Sequence, residues 1–190
     1  MASRYLSAFF LAGKKLNKSS NKGFTLVELL TAVGVFTILA SIVLVTVNPL
    51  EQFRKAQDSK RKSDLAQTQR ALESYYQDFG KYPAYTTTGQ NTYTINIGSG
   101  EDANAVKWGD TWSPYMDIVP VDPNSSKFYL YWSDSSNNYQ SYRLYASLDR
   151  GSNDPDACVG TSGCSGAPGG CGIDASYVCN FGVTSPNISP

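Results

Sequence analysis

The stretch from Phe24 to Val47, FTLVELLTAVGVFTILASIVLVTV, is 24 residues long and carries one charge, Glu28. At about 1.5 Å per residue, a helix of this length crosses a hydrocarbon core of roughly 30 Å. The segment therefore reads as a membrane-spanning helix. Gly34 is tolerated inside such a helix. A kink or break is expected at Asn48-Pro49, because proline disfavours helix at the residue before it. The acid is the puzzle. An ionised Asp, Lys or Arg at a bilayer centre costs roughly 2.5 to 3.5 kcal/mol, and Glu28 falls in the same class.

The flank before this segment is basic. Residues 1–23 hold Arg4, Lys14, Lys15, Lys18 and Lys22 and no acid, which by the positive-inside rule places the N-terminus in the cytoplasm. A cleaved secretory signal has an apolar core of roughly 7 to 15 residues followed by a small-residue cut site. This core is too long and no such site follows it. The shorter apolar patch YLSAFFLA, residues 5 to 12, is read as part of a cytoplasmic leader.

Once those five cations are set aside, 11 of the 16 basic residues remain against 16 acids, a net of −5. A mildly acidic body argues against general nucleic-acid binding, which rests largely on neutralising phosphates. The chain has no histidine. That excludes Ser-His-Asp and Cys-His catalysis and removes the commonest transition-metal ligand. No catalytic constellation stands out, and an enzymatic role is not expected. All four cysteines, Cys158, Cys164, Cys171 and Cys179, lie in the Gly-rich tail. They lack the close C-x2-C pairs of a zinc site, and an even count suits two disulfides formed outside the cytoplasm. Three pairings are open.

KGFTLVELL resembles the processing site of type IV prepilins and the related type II secretion pseudopilins. The resemblance extends through a long apolar helix and a polar helical extension to Tyr82-Pro83. It implies that a membrane prepilin peptidase and methyltransferase cuts after Gly23 and methylates Phe24, leaving Glu28 fifth in the mature chain. It also implies an inner-membrane assembly platform as partner, membrane lipid around the helix before assembly, and other copies of the chain or homologous pilins afterwards. The cost of Glu28 then has an answer. Its carboxylate pairs with the N-terminal amine of a neighbour's Phe24, and pairing lowers the cost of burying both. Such a head-to-tail contact does not close on itself and propagates as a helical filament.

Four segments follow: a leader over 1–23, the membrane and assembly helix over 24–47, an amphipathic extension over 48–83, and a β-rich globular part over 84–190 with its Cys-rich tail from 157. In the extension, Leu65, Thr68 or Gln69, Leu72, Tyr75 or Tyr76 and Phe79 recur at helical spacing and form an apolar stripe. Gly80 is a candidate C-cap and Pro83 a stop. Between 54 and 64, Arg54, Lys55, Lys60, Arg61 and Lys62 alternate with Asp58 and Asp64, which reads as a solvated, charge-laced shaft. It would meet water, lipid headgroups or acidic groups of neighbouring subunits. DNA phosphates are a weaker option for Lys55, Lys60, Arg61 and Lys62.

In the globular part, TYTINI (92–97), FYLYWS (128–133), YQSYRLYAS (139–147) and YVCNFGV (177–183) read as strands. DSSNN (134–138) is the turn of a hairpin. The fold class is α+β and pilin-like: a long N-terminal helix packed on an antiparallel sheet of three or four strands, with a disulfide-bearing C-terminal loop. The tyrosines and Trp108, Trp112 and Trp132 are either core or a sugar-binding face. PYMDIVPVDPNSSKFYLYW resembles the proline-rich loop before the paired strands of major pseudopilins. In that group a calcium site lies in the loop after the hairpin, and here that loop offers Asp149, Asn153, Asp154 and Asp156 as hard oxygen ligands. The cysteine tail is more like the C-terminal loop of a pilin. Three functions are therefore in play: a type IV pilus subunit, a secretion pseudopilin, and a membrane-anchored extracellular binding module.

Overall fold

The computed structural model describes residues 23–88, 92–97, 105–158, 163–174 and 176–188. The leader up to Lys22 lies outside the described residues. The chain divides into two compact units between Val47 and Asn48.

The first unit contributes helix α1, Leu26–Val47. Its window Leu26–Leu44 is long and apolar enough to cross a membrane, and none of it is buried within the chain. Four hydroxyls are satisfied inside the helix. Thr31 Oγ1 donates to the Glu28 carbonyl at 3.0 Å, Thr37 to Gly34 at 2.8 Å, Ser41 to Thr37 at 2.7 Å and Thr46 to Ile42 at 2.8 Å. In an apolar medium that offers no water, this back-bonding lets hydroxyl side chains be carried on a spanning helix.

Asn48 separates the two helices with a left-handed φ of 44°, and α2 then runs over Pro49–Phe79 with proline at its start. Proline is well placed there, since the first N–H of a helix has no partner to lose. Gly80, at φ 66°, ends α2 by donating its N–H to the Tyr76 carbonyl at 2.8 Å. Only glycine takes that left-handed position without strain. From the apolar stripe, Leu65, Thr68, Leu72 and Tyr75 are buried, whereas Phe79 at the end of the stripe is exposed.

Among the described residues, six strands form two three-stranded antiparallel sheets rather than one sheet of three or four. In the first, β1 (Ala84–Thr88) pairs with β2 (Thr92–Asn96), and β2 with β3 (Ala105–Val106). In the second, β4 (Leu130–Ser133) pairs with β5 (Tyr142–Ala146), and β5 with β6 (Phe181–Thr184). The hairpin expected from FYLYWS and YQSYRLYAS is present, with Leu130 opposite Tyr145. Asn138 and Tyr139 at its tip both have positive φ.

The second sheet explains why its strands are so aromatic. Successive side chains point to opposite faces, and both faces here are covered. Tyr129, Tyr131, Tyr142 and Leu144 pack with Leu65 and Leu72 of α2. Leu130 and Tyr145 pack with Cys164, Cys171 and Cys179 of the tail. Tyrosine suits the first face because its hydroxyl needs a partner when buried. Tyr142 and Tyr82 donate to the Glu73 carboxylate, Tyr129 donates to Asp64 at 2.8 Å, and Tyr131 donates to the Pro83 carbonyl at 2.6 Å. Trp112 is fully buried, while Trp108 and Trp132 are half-buried against the core.

Candidate assembly site

Residues at the head of α1 are arranged by ordinary helix-start chemistry. Thr25 is the N-cap: its Oγ1 accepts the Glu28 N–H at 3.2 Å. Thr25-x-x-Glu28 has the spacing of a capping box, and a carboxylate in the first turn also sits favourably in the helix dipole. Glu28 thus has a local role as well as the intermolecular one inferred from sequence. Among the described residues its carboxylate makes no ion pair. It lines one face of the helix with Ala32, Val35, Phe36 and Leu39.

Gly23 precedes this cap outside any helix or strand. A Cβ built on it would meet no atom within 4 Å, and its φ is not in the left-handed region. Among the described residues nothing requires glycine there. Phe24 beside it is 81 % exposed.

The charge-laced stretch of α2 is solvated on one side, where Arg54, Lys55 and Lys60 are exposed, but not on the other. Arg61 is fully buried, as are Asp58 and Asp64. Arg61 Nε and Nη2 donate to Asp122 at 2.8 and 3.0 Å, and its Nη1 donates to both Asp58 and Asp149 at 2.8 Å. Burial opposes the guanidinium's charge, but the bonds to Asp122 and Asp149 outweigh it and raise its pKa above the ordinary value. Asp58 in turn accepts the backbone N–H groups of Asp149 and Arg150 at 2.7 and 3.0 Å. Lys127 Nζ donates to Asp149 at 2.6 Å and to the Ser147 carbonyl at 2.9 Å. Burial pushes the Asp149 carboxyl up, yet its bonds to Lys127 and Arg61 leave it below its usual range. The period-3.6 pattern hid this arrangement because its partners lie 61 and 88 residues away in sequence.

The same bonds bear on DNA contact. Arg61 is enclosed, and Lys60 and Lys62 are engaged by Asp64, Asp154 and Asp156. Among the described residues, Lys55 alone of the four cations named for DNA makes no ion pair.

In the loop after β5 the Asp149, Asp154 and Asp156 carboxylates face cations of the chain. Lys62 Nζ donates to Asp154 at 2.5 Å and to Asp156 at 2.7 Å. Arg150 donates to the Asn153 carbonyl at 3.1 Å. Among the described residues, no group of three or more His, Cys, Asp or Glu side chains is disposed to hold a metal ion. Calcium takes six to eight oxygens, and as arranged this donor set does not fit it. Beyond the loop the tail is closed by Cys158–Cys164 and Cys171–Cys179, with Cα–Cα distances of 5.0 and 5.1 Å.

Comparison with known proteins meets the head of α1 first. The family description "Prokaryotic N-terminal methylation motif" matches residues 18–44. The type II secretion system core protein G of Klebsiella pneumoniae is 30 % identical over 109 residues, covering 57 % of this chain and 73 % of that protein. The chain belongs to the type IV pilin and type II secretion pseudopilin family. Another member, the core protein G of Pseudomonas aeruginosa, is 26 % identical over 145 residues, spanning 76 % of this chain and 97 % of its own length. No solved structure matches significantly. As a member of this family the chain pairs an apolar N-terminal helix, which fits membrane insertion followed by filament assembly, with small antiparallel sheets and a disulfide-bearing tail.

Proposed function

We propose that this pilin-family chain is a structural, non-enzymatic subunit of a helical filament, polymerised through α1. The observation that carries the reading is a helix of spanning length, apolar and exposed among the described residues, led by a glycine that nothing among those residues requires. In this reading prepilin peptidase cuts after Gly23 and methylates Phe24 on the cytoplasmic side. The new N-terminal amine is cationic and lies one helical turn from Glu28. In this reading the amine and the Glu28 carboxylate are paired between subunits rather than within one. The Glu28 of one subunit therefore takes the amine of the next, and extraction from lipid into the filament replaces an isolated buried charge by a pair. The α1 helices bundle as the fibre's core, and the β-rich unit forms its outside.

Of the two filaments, a short pseudopilus of a type II secretion system is favoured by the likeness to two core proteins G, one matched over 97 % of its length. A surface type IV pilus is favoured by the disulfide-closed tail. The test is N-terminal sequencing of the protein recovered from membranes and from sheared surface material. A mature chain beginning at methylated Phe24, within filaments, is the expected result. A chain that keeps its leader and never enters a filament would make it an anchored binding module instead.

A further inference from the structure

The loop after β5 is rich in carboxylates, and its cations are side chains of the same molecule. Asp58 of α2 fixes the start of the loop by accepting the N–H groups of Asp149 and Arg150. One helical turn further along α2, the Lys62 ammonium reaches the loop's far end, 2.5 Å from Asp154 Oδ1 and 2.7 Å from Asp156 Oδ2. It also lies 5.5 Å from the centre of the Phe181 ring on β6. Asp154 is enclosed, with 5 % of its side chain exposed, and its second oxygen faces Arg150 at 3.7 Å. Arg150 Nε donates to Glu51 at 2.9 Å, which ties the loop to the first turn of α2.

We infer that the Lys62 ammonium is a built-in replacement for a divalent cation, bridging Asp154 and Asp156 and fastening the loop to α2 so that the loop's order needs no calcium. Two neighbouring carboxylates repel unless a cation lies between them, and an ion taken from solution does this only above its dissociation constant. A lysine held in register on a packed helix is present at every calcium concentration. Its three N–H donors serve both carboxylates with one charge. The inference concerns the fold of the second unit and holds for either type of filament.

Thermal unfolding of the full chain in detergent micelles, in EDTA and in millimolar calcium, tests it. The wild type should melt at the same temperature in both. Lys62→Gln should melt a few degrees lower in EDTA, and calcium, but not potassium at equal ionic strength, should restore it. A wild-type Tm raised by calcium would overturn the inference, because the loop would then bind the ion with Lys62 in place. So would a Lys62→Gln chain that melts with the wild type in EDTA. A destabilised variant that calcium does not restore would reduce Lys62 to an ordinary ion pair and overturn the replacement.

Discussion

Along α1 the large apolar side chains from Phe24 to Leu44 are 54 to 81 % exposed, and the one carboxylate among them has no ion-pair partner among the described residues. Along α2 the buried face holds Asp58, Arg61 and Asp64, and each is bonded within the chain. Both helices therefore carry charge where charge is costly. In α2 the cost is offset at once, by partners on the loop before β4 and the loop after β5. In α1 no ion-pair partner lies among the described residues, and under the proposed function another subunit supplies it. A helix whose charges are paired within its unit supports a fold, and an exposed apolar helix with an unpaired acid among the described residues suits the proposed assembly.

Substitutions should separate the two accordingly. The largest effect is expected at Gly23, where the proposed requirement is that of the peptidase. Gly23→Leu has open space to occupy, so the fold should be unaffected while cleavage stops. Mass spectrometry of the membrane fraction should find only full-length chain, and an unchanged mature mass would place the cut elsewhere. Next is Arg61→Met, which leaves Asp58, Asp122 and Asp149 without their shared cation. Breaking a buried pair from one side costs about 3 to 5 kcal/mol, read as a lower urea midpoint of the full chain in micelles.

A matched pair of apolar truncations should then show the contrast without any charge. Leu65→Ala removes a fully buried side chain and should cost about 2 to 5 kcal/mol. Leu39→Ala in α1, exposed in the isolated subunit, should cost less than about 0.5 kcal/mol in the same assay. A large loss at Leu39 in the monomer would mean that α1 is already packed.

The smallest effect is the pH response of the second unit. The Asp149 carboxyl is held below its usual range by Lys127 and Arg61 against the opposing effect of burial, and the Asp154 carboxyl is held low by Lys62 in the same way. A depressed folded pKa gives stability that is fully present above the unfolded aspartate range, near pH 4, and is lost as pH falls through the lower folded value. Urea midpoints should be flat from pH 7 to about 5 and then fall, and Asp149→Asn should be less stable at pH 7 with a shallower fall. A midpoint that rises on acidification would reverse the sign and break the account.

The legibility of these two regions in sequence differs for physical reasons. The apolar run, the Gly23-Phe24 junction and the Gly80 cap are local patterns, and each could be read from a few neighbouring residues. So could the β4–β5 hairpin. The Arg61 network could not, because Asp122 and Asp149 are placed by tertiary folding and a helical wheel shows only alternating charge. Strand β1, Ala84–Thr88, follows the helix stop at Tyr82-Pro83 with one apolar-aromatic residue among threonines, too weak a pattern to separate from loop. Strand β6 begins four residues later than YVCNFGV suggests, since Tyr177 to Asn180 is spent on the tail's bonds to Cys171, Cys164 and Cys158. Of the four oxygen residues after β5, Asp154 and Asp156 share Lys62 while Asp149 faces Arg61 and Lys127, and sequence could not show those cations among them.

The central claim is that the charge of Glu28 is used between subunits. The measurement that meets it most directly is incorporation of Glu28→Gln into filaments co-expressed with wild type, quantified in sheared filaments against the membrane pool. Glutamine keeps the capping-box pattern with Thr25 and removes only the charge. Losing one member of a buried pair costs about 2 kcal/mol or more, so incorporation should fall at least about tenfold, with normal cleavage after Gly23. Incorporation equal to wild type would contradict the account and leave Glu28 as a helix cap alone.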